Sequence, residues 1–77
     1  MERQNFEVSL RALVRRTPFR PFIVELVNGT RIQVQHPEAL VFRGRVAVLF
    51  DTDGEIRLFD HEGVNQLSTQ TDQAASA

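Results

Sequence analysis

A chain of 77 residues with no cysteine makes one small domain, without disulfides or thiolate-bound metals to brace it. At this length only ~60% of the unfolded surface is buried, so a partner chain is a natural source of further burial. The net charge of −1 divides into +4 over residues 1–45 and −5 over residues 46–77, and although all nine basic residues are arginine, the balance falls short of a nucleic-acid binder's basic excess.

Residues 5–16 are predicted to form a helix, because Phe6, Leu10, Leu13 and Val14 share one face of a 3.6-residue repeat. Asn5 is the expected N-cap, with Glu7 in the first turn and Arg15 and Arg16 in the last, matching the helix dipole. Thr17-Pro18 ends the helix, since a residue before proline is pushed out of the α region, and Pro21 keeps 17–21 extended.

Two strands, 22–26 and 30–35, follow around Val27-Asn28-Gly29. A two-residue Asn-Gly turn would pair Val24 with Gln33 and Leu26 with Arg31, mixing apolar and polar groups on one face. A three-residue loop with Gly29 left-handed pairs Val24 with Ile32 and Phe22 with Val34, and sets Glu25 opposite Arg31. The second register gives one apolar face and is the predicted one. Pro37 denies a ladder donor, so His36-Pro37-Glu38 breaks the sheet. Residues 39–42 read equally as a turn of helix or a strand.

Arg43-Gly44-Arg45 is a tight turn. The next strand, Val46–Phe50, is apolar at every position and so is expected to be covered on both faces. After the turn at Asp51-Thr52-Asp53-Gly54, residues 55–59 alternate, with Ile56 and Leu58 on one side, and 64–67 close the sheet. Residues 68–77 have no apolar anchor and read as a disordered tail. The six phenylalanines fall mostly at core positions, with Phe19 and Phe42 the two considered for exposure.

Few residue groups point to chemistry. The loop DTDGE has the first oxygens of a calcium loop but lacks the distal ligands and flanking helices. His36, Glu38, Asp60, His61 and Glu62 lack ligand spacing on a regular element. The serines lie on the helix or in the tail, and the glycines are isolated, so neither a nucleophilic triad nor a phosphate loop is present. The expectation is a protein that is not an enzyme, with no cofactor and no metal. No apolar run reaches the ~20 residues that span a bilayer, and MERQNFEVSL lacks the pattern of a secretory leader, which makes the cytoplasm the expected compartment.

Phe19-Arg20-Pro21-Phe22, Gly29 and His36-Pro37-Glu38, in that order, resemble a set of small bacterial proteins abundant in planctomycetes, over residues 10–67. That resemblance implies no activity. The helix followed by V-x-L-x-N-G-x-x-I-x-V also resembles Sm-like barrels, whose likeness implies rings that bind RNA, although the glycine and aspartate of their middle strands and their RNA-contacting signature are missing.

The fold read from these elements is α+β: an N-terminal helix followed by a strongly bent four- to five-stranded antiparallel sheet, of the SH3/Sm-like small-barrel type, with residues 1–67 in one domain. The expected role is a self-associating interaction module, a dimer or higher homo-oligomer. An Sm-like nucleic-acid binder is the alternative. The expected interaction surface consists of Arg20, His36 and Glu38, which the strand pattern leaves unexplained, with Arg43 and Arg45 at their turn.

Overall fold

The computed structural model describes residues 1–51 and 53–69. Helix α1 spans Arg3–Val14 and buries Phe6 and Leu10 completely. It begins two residues before the predicted start because Glu2, not Asn5, is the N-cap: its Oε1 accepts from the Asn5 backbone N–H at 3.2 Å. Arg15 and Arg16 therefore lie beyond the last helical residue, and Arg11 is the cation of the last turn. The Thr17–Pro18 peptide is cis.

Strands β1 (Phe22–Leu26) and β2 (Arg31–Val34) have the predicted register, with Phe22 opposite Val34, Val24 opposite Ile32 and Glu25 opposite Arg31. The loop closes through Leu26 N–H to Thr30 O at 2.8 Å and Gly29 N–H to Leu26 O at 2.9 Å. Gly29 has φ 92°, which L side chains rarely adopt, and Asn28 Oδ1 accepts from Thr30 N–H at 2.9 Å.

The undecided segment after Pro37 is both structures in turn. Pro37–Ala39 makes one 3₁₀ turn, and β3 runs over Leu40–Arg43. Then come β4 (Val46–Phe50), β5 (Ile56–Asp60), a second 3₁₀ turn at His61–Gly63, and β6 (Val64–Thr69). Strand β6 extends two residues beyond the expected 67, into what was read as tail, and residues 70–77 of that tail lie outside the described residues.

The strands form two three-stranded antiparallel sheets, ordered β2-β1-β6 and β3-β4-β5. The α+β class holds, but the expected single bent sheet of four or five strands is six strands in two sheets. The physical cause is at His36-Pro37-Glu38: Pro37 cannot donate to a ladder, so the chain turns there and begins a new sheet at Leu40.

One core lies between the elements. Phe6 and Leu10 of α1 pack with Phe22, Val24, Ile32, Val34 and Val64 from one sheet and Leu40, Ala47, Leu49 and Phe59 from the other. The rings of Phe6 and Phe59 meet edge to face at 6.3 Å. No polar side chain is buried among the described residues. The Met1 ammonium closes one end, donating to the carbonyls of His61 at 2.8 Å and Val64 at 2.7 Å, while His61 Nδ1 lies 2.9 Å from Met1 O.

Strand β4 departs from expectation. Ala47 and Leu49 are buried, but Val46 and Phe50 are exposed and Val48 is half-buried. The helix and the other sheet share the inner side with Ala47 and Leu49, so a strand with two apolar faces has only one covered.

Candidate functional site

The outer face of the β3-β4-β5 sheet follows from period-two alternation and the pairing register. Val41 stands beside Val48, and Val48 beside Leu58. Toward one end the row is Arg43, Val46 and Asp60; toward the other, Phe50 pairs with Ile56. Because Leu40, Ala47, Leu49 and Phe59 point inward, all of these point outward. Val41 is 57% exposed, Ile56 59% and Leu58 70%, so these branched side chains stand in water on a strand surface where packing is what favours them. Val46 and Phe50 complete the exposed apolar set of this face, with the half-buried Val48 among them. A shallow groove carries the surface past β5, lined by Leu26, Val46, Leu58, Phe59, Asp60 and Gly63.

The same face ends in charge. Arg43 closes its row on β3 and Asp60 closes it on β5. Asp60 Oδ1 accepts from Gly63 N–H at 3.0 Å, capping the second 3₁₀ turn. Neither residue makes an ion pair among the described residues.

A basic corner adjoins this end, where Arg3, Gln4 and Glu7 of α1 meet Arg43, Gly44, Arg45 and Val46. Glu7 Oε2 holds the corner together, accepting from Arg11 at 3.2 Å and from Gly44 N–H at 3.4 Å. At the opposite end of the sheet, a cleft of about 210 Å³ is lined by Arg31, Gln33, His36, Phe50, Asp51 and Arg57, among others. There Arg57 Nε donates to Asp51 Oδ2 at 3.2 Å, so its charge is already engaged.

The five residues singled out from sequence lie in separate places. Arg20 is exposed in the connector before β1. His36 and Glu38 flank Pro37, both exposed, with Nδ1 4.0 Å from Oε1; the His36 ring makes no capping bond to the backbone, and the turn is closed by Ala39 N–H to His36 O instead. Arg43 and Arg45 share the basic corner. The structure thus brings together Arg43 with Arg45 and His36 with Glu38, and does not bring these pairs to one cleft.

Two features escaped the sequence reading. Phe50, taken as core, is 49% exposed, whereas Phe19 and Phe42 are partly buried against the core, with Phe19 6.2 Å from Phe22. The other is the outward set Val41, Val46, Val48, Phe50, Ile56 and Leu58: Val46–Phe50 is expected from sequence to be covered on both faces and residues 39–42 read as either helix or strand, so no open face is expected there. Among the described residues, no three His, Asp or Glu side chains gather where one metal ion could sit, and no helix is long and apolar enough to cross a membrane. No protein-family model matches the chain, and the search of curated proteins found no match.

Proposed function

We propose that this protein is a non-enzymatic interaction module that associates with a second copy of itself through the outer face of β3, β4 and β5. The observation that carries this reading is the uncovered apolar surface of Val41, Val46, Val48, Phe50, Ile56 and Leu58. Such a surface in water is unfavourable by roughly 25 cal/mol for each Å² left wet, and contiguous exposed apolar patches mark interaction sites. A second copy is the fitting occupant because the face carries its own electrostatic complement, a cation at one edge and a carboxylate at the other. The small domain gains from its copy the burial it lacks alone. The order of helix, hairpin, three-stranded meander and last strand supports reading the two sheets as an Sm-like small barrel, without carrying that family's activity over.

Sedimentation across a dilution series tests the proposal. Wild type shifts from monomer to dimer or higher species as concentration rises, and Leu58→Glu abolishes the shift while leaving the melting temperature of the monomer unchanged. A wild type that stays monomeric at high concentration overturns it.

A second reading rests on the basic corner, where Arg3, Arg43 and Arg45 have no ion pair among the described residues. Three guanidinium groups around one open concavity suit phosphate oxygens, as a nucleic-acid binder would require. Titration with a single-stranded oligonucleotide at two salt concentrations tests it: binding that weakens steeply with salt and is lost in Arg43→Gln with Arg45→Gln supports it, and no binding at low salt overturns it.

A further inference from the structure

We infer that the two copies meet about a two-fold axis parallel to β4, so that Arg43 of each copy faces Asp60 of the other. This rests on the self-association proposed above and adds its geometry. The outer face has three rows across the strands: Arg43, Val46 and Asp60; then Val41, Val48 and Leu58; then Phe50 and Ile56. In the third row β3 contributes nothing, because it begins at Leu40 and the half-buried Ala39 belongs to the preceding 3₁₀ turn.

A two-fold homodimer presents the same patch from both sides, so each residue meets the one onto which the axis rotates it. Two axes in the plane of the face lay this sheet on its copy. Both leave the strands of the two sheets nearly aligned, as face-to-face sheets require, so the packing angle does not choose between them. Charge does.

An axis parallel to β4 exchanges β3 with β5 and keeps every row on itself. Arg43 then meets Asp60 of the other copy, and the pair forms twice. Val41 meets Leu58, while Val46, Val48 and Phe50 lie along the axis against their own counterparts. Apolar meets apolar in every remaining position, and the open corner beside Phe50 receives Ile56 of the other copy.

An axis perpendicular to β4 exchanges the first row with the third. Asp60 is then pressed against Ile56, and Arg43 falls beyond the start of β3. Each charge loses water without gaining a partner, which apolar contact does not offset. Arg43 has no ion pair of its own among the described residues, and Asp60 engages one carboxylate oxygen with Gly63, so both are ready to meet across the parallel axis.

The test uses Arg43→Glu and Asp60→Arg in the full chain, singly, mixed and combined, with dissociation constants from sedimentation at low salt. Each single variant sets like charges opposite one another twice and weakens self-association about tenfold or more. An equimolar mixture of the two restores dimers, because both cross-copy pairs in the heterodimer are then opposite in sign. The double variant restores them as well. Asp60→Asn keeps a capping oxygen for Gly63 while removing the charge, and it weakens association about threefold with the melting temperature unchanged. If Asp60→Arg does not fold, comparison of Arg43→Glu with Arg43→Gln carries the test, since reversal must weaken association more than neutralisation. A wild type that is monomeric throughout removes the self-association itself. A wild type that dimerises, with charge reversal and mixing both without effect, overturns the parallel axis and leaves the self-association standing.

Discussion

Glu25 accepts a hydrogen bond from Gln66 Nε2 at 2.7 Å, although Arg31 is its direct partner across the β1–β2 hairpin. Asn65 reaches the same oxygen at 3.5 Å, and no ion pair joins Glu25 to Arg31. Strand β1 is the middle of its sheet, so one carboxylate has a neighbour on each side and here it serves β6. A double-mutant cycle therefore gives a coupling of about 0.5 kcal/mol between Glu25 and Gln66, and close to zero between Glu25 and Arg31. Equilibrium urea unfolding of the alanine variants checks both values. An equal or larger coupling to Arg31 would show that the hairpin pair dominates in solution.

Two phenylalanines separate the roles of the two faces. Phe6 is fully buried and meets Phe59 edge to face, so Phe6→Ala costs about 3–5 kcal/mol. A domain of this length holds only ~4–11 kcal/mol in total, so that variant loses a large share of its stability and melts well below wild type. Phe50 stands outward from β4, and Phe50→Ser leaves the monomer's melting temperature within about 2 °C while weakening self-association. Thermal unfolding by circular dichroism and sedimentation, run on both variants, read the two effects separately.

Gly29 and Gly63 look alike in sequence, each punctuating a turn, yet they differ in what they require. Gly29 sits at φ 92° with open space where a Cβ would project, so Gly29→Ala is opposed by backbone conformation alone, at about 1 kcal/mol. Gly63 has no positive φ, and a Cβ there would meet Asp60 Oδ1 at an ordinary 3.6 Å. Gly63→Ala is therefore near neutral. At about 4–8 °C of melting temperature per kcal/mol for a chain of this size, the contrast is readable in one thermal scan.

The register around Gly29 was legible because alternation in both strands and the opposition of Glu25 to Arg31 agree on a three-residue loop, and together they outweigh the two-residue turn that Asn-Gly alone would suggest. The helix was legible from Phe6 and Leu10, but its start was not, since Asn5 is the stronger cap by type and Glu2 serves because it stands where the chain turns. Residues 39–42 stayed ambiguous because a three-residue 3₁₀ turn and a four-residue strand are each too short to set a period. The candidate surface was half legible. A strand that is apolar at every position states that both faces want cover, and only the positions of α1 and the second sheet decide which face is left without it.

Salt provides the last discrimination, because the apolar face and the basic corner respond to it in opposite ways. Association through Val41, Val48, Phe50 and Leu58 is driven by removing apolar surface from water, and sulfate, which is excluded from protein surfaces, strengthens it. The flanking Arg43 and Asp60 pairs are screened as ionic strength rises, since the Debye length falls to about 3 Å at 1 M. The expected curve in sodium sulfate is thus a modest early weakening followed by a steady gain in the dimer fraction. In Arg43→Gln the early weakening disappears and the later gain remains. Oligonucleotide binding at Arg3, Arg43 and Arg45 has no such recovery, since each phosphate contact releases counterions and affinity falls continuously with added salt. Dimer fraction by sedimentation and oligonucleotide affinity by anisotropy, measured over the same salt series, place the protein's dominant surface. A dimer fraction that falls monotonically with sulfate would show that charge, and not the outer face of the sheet, holds the copies together.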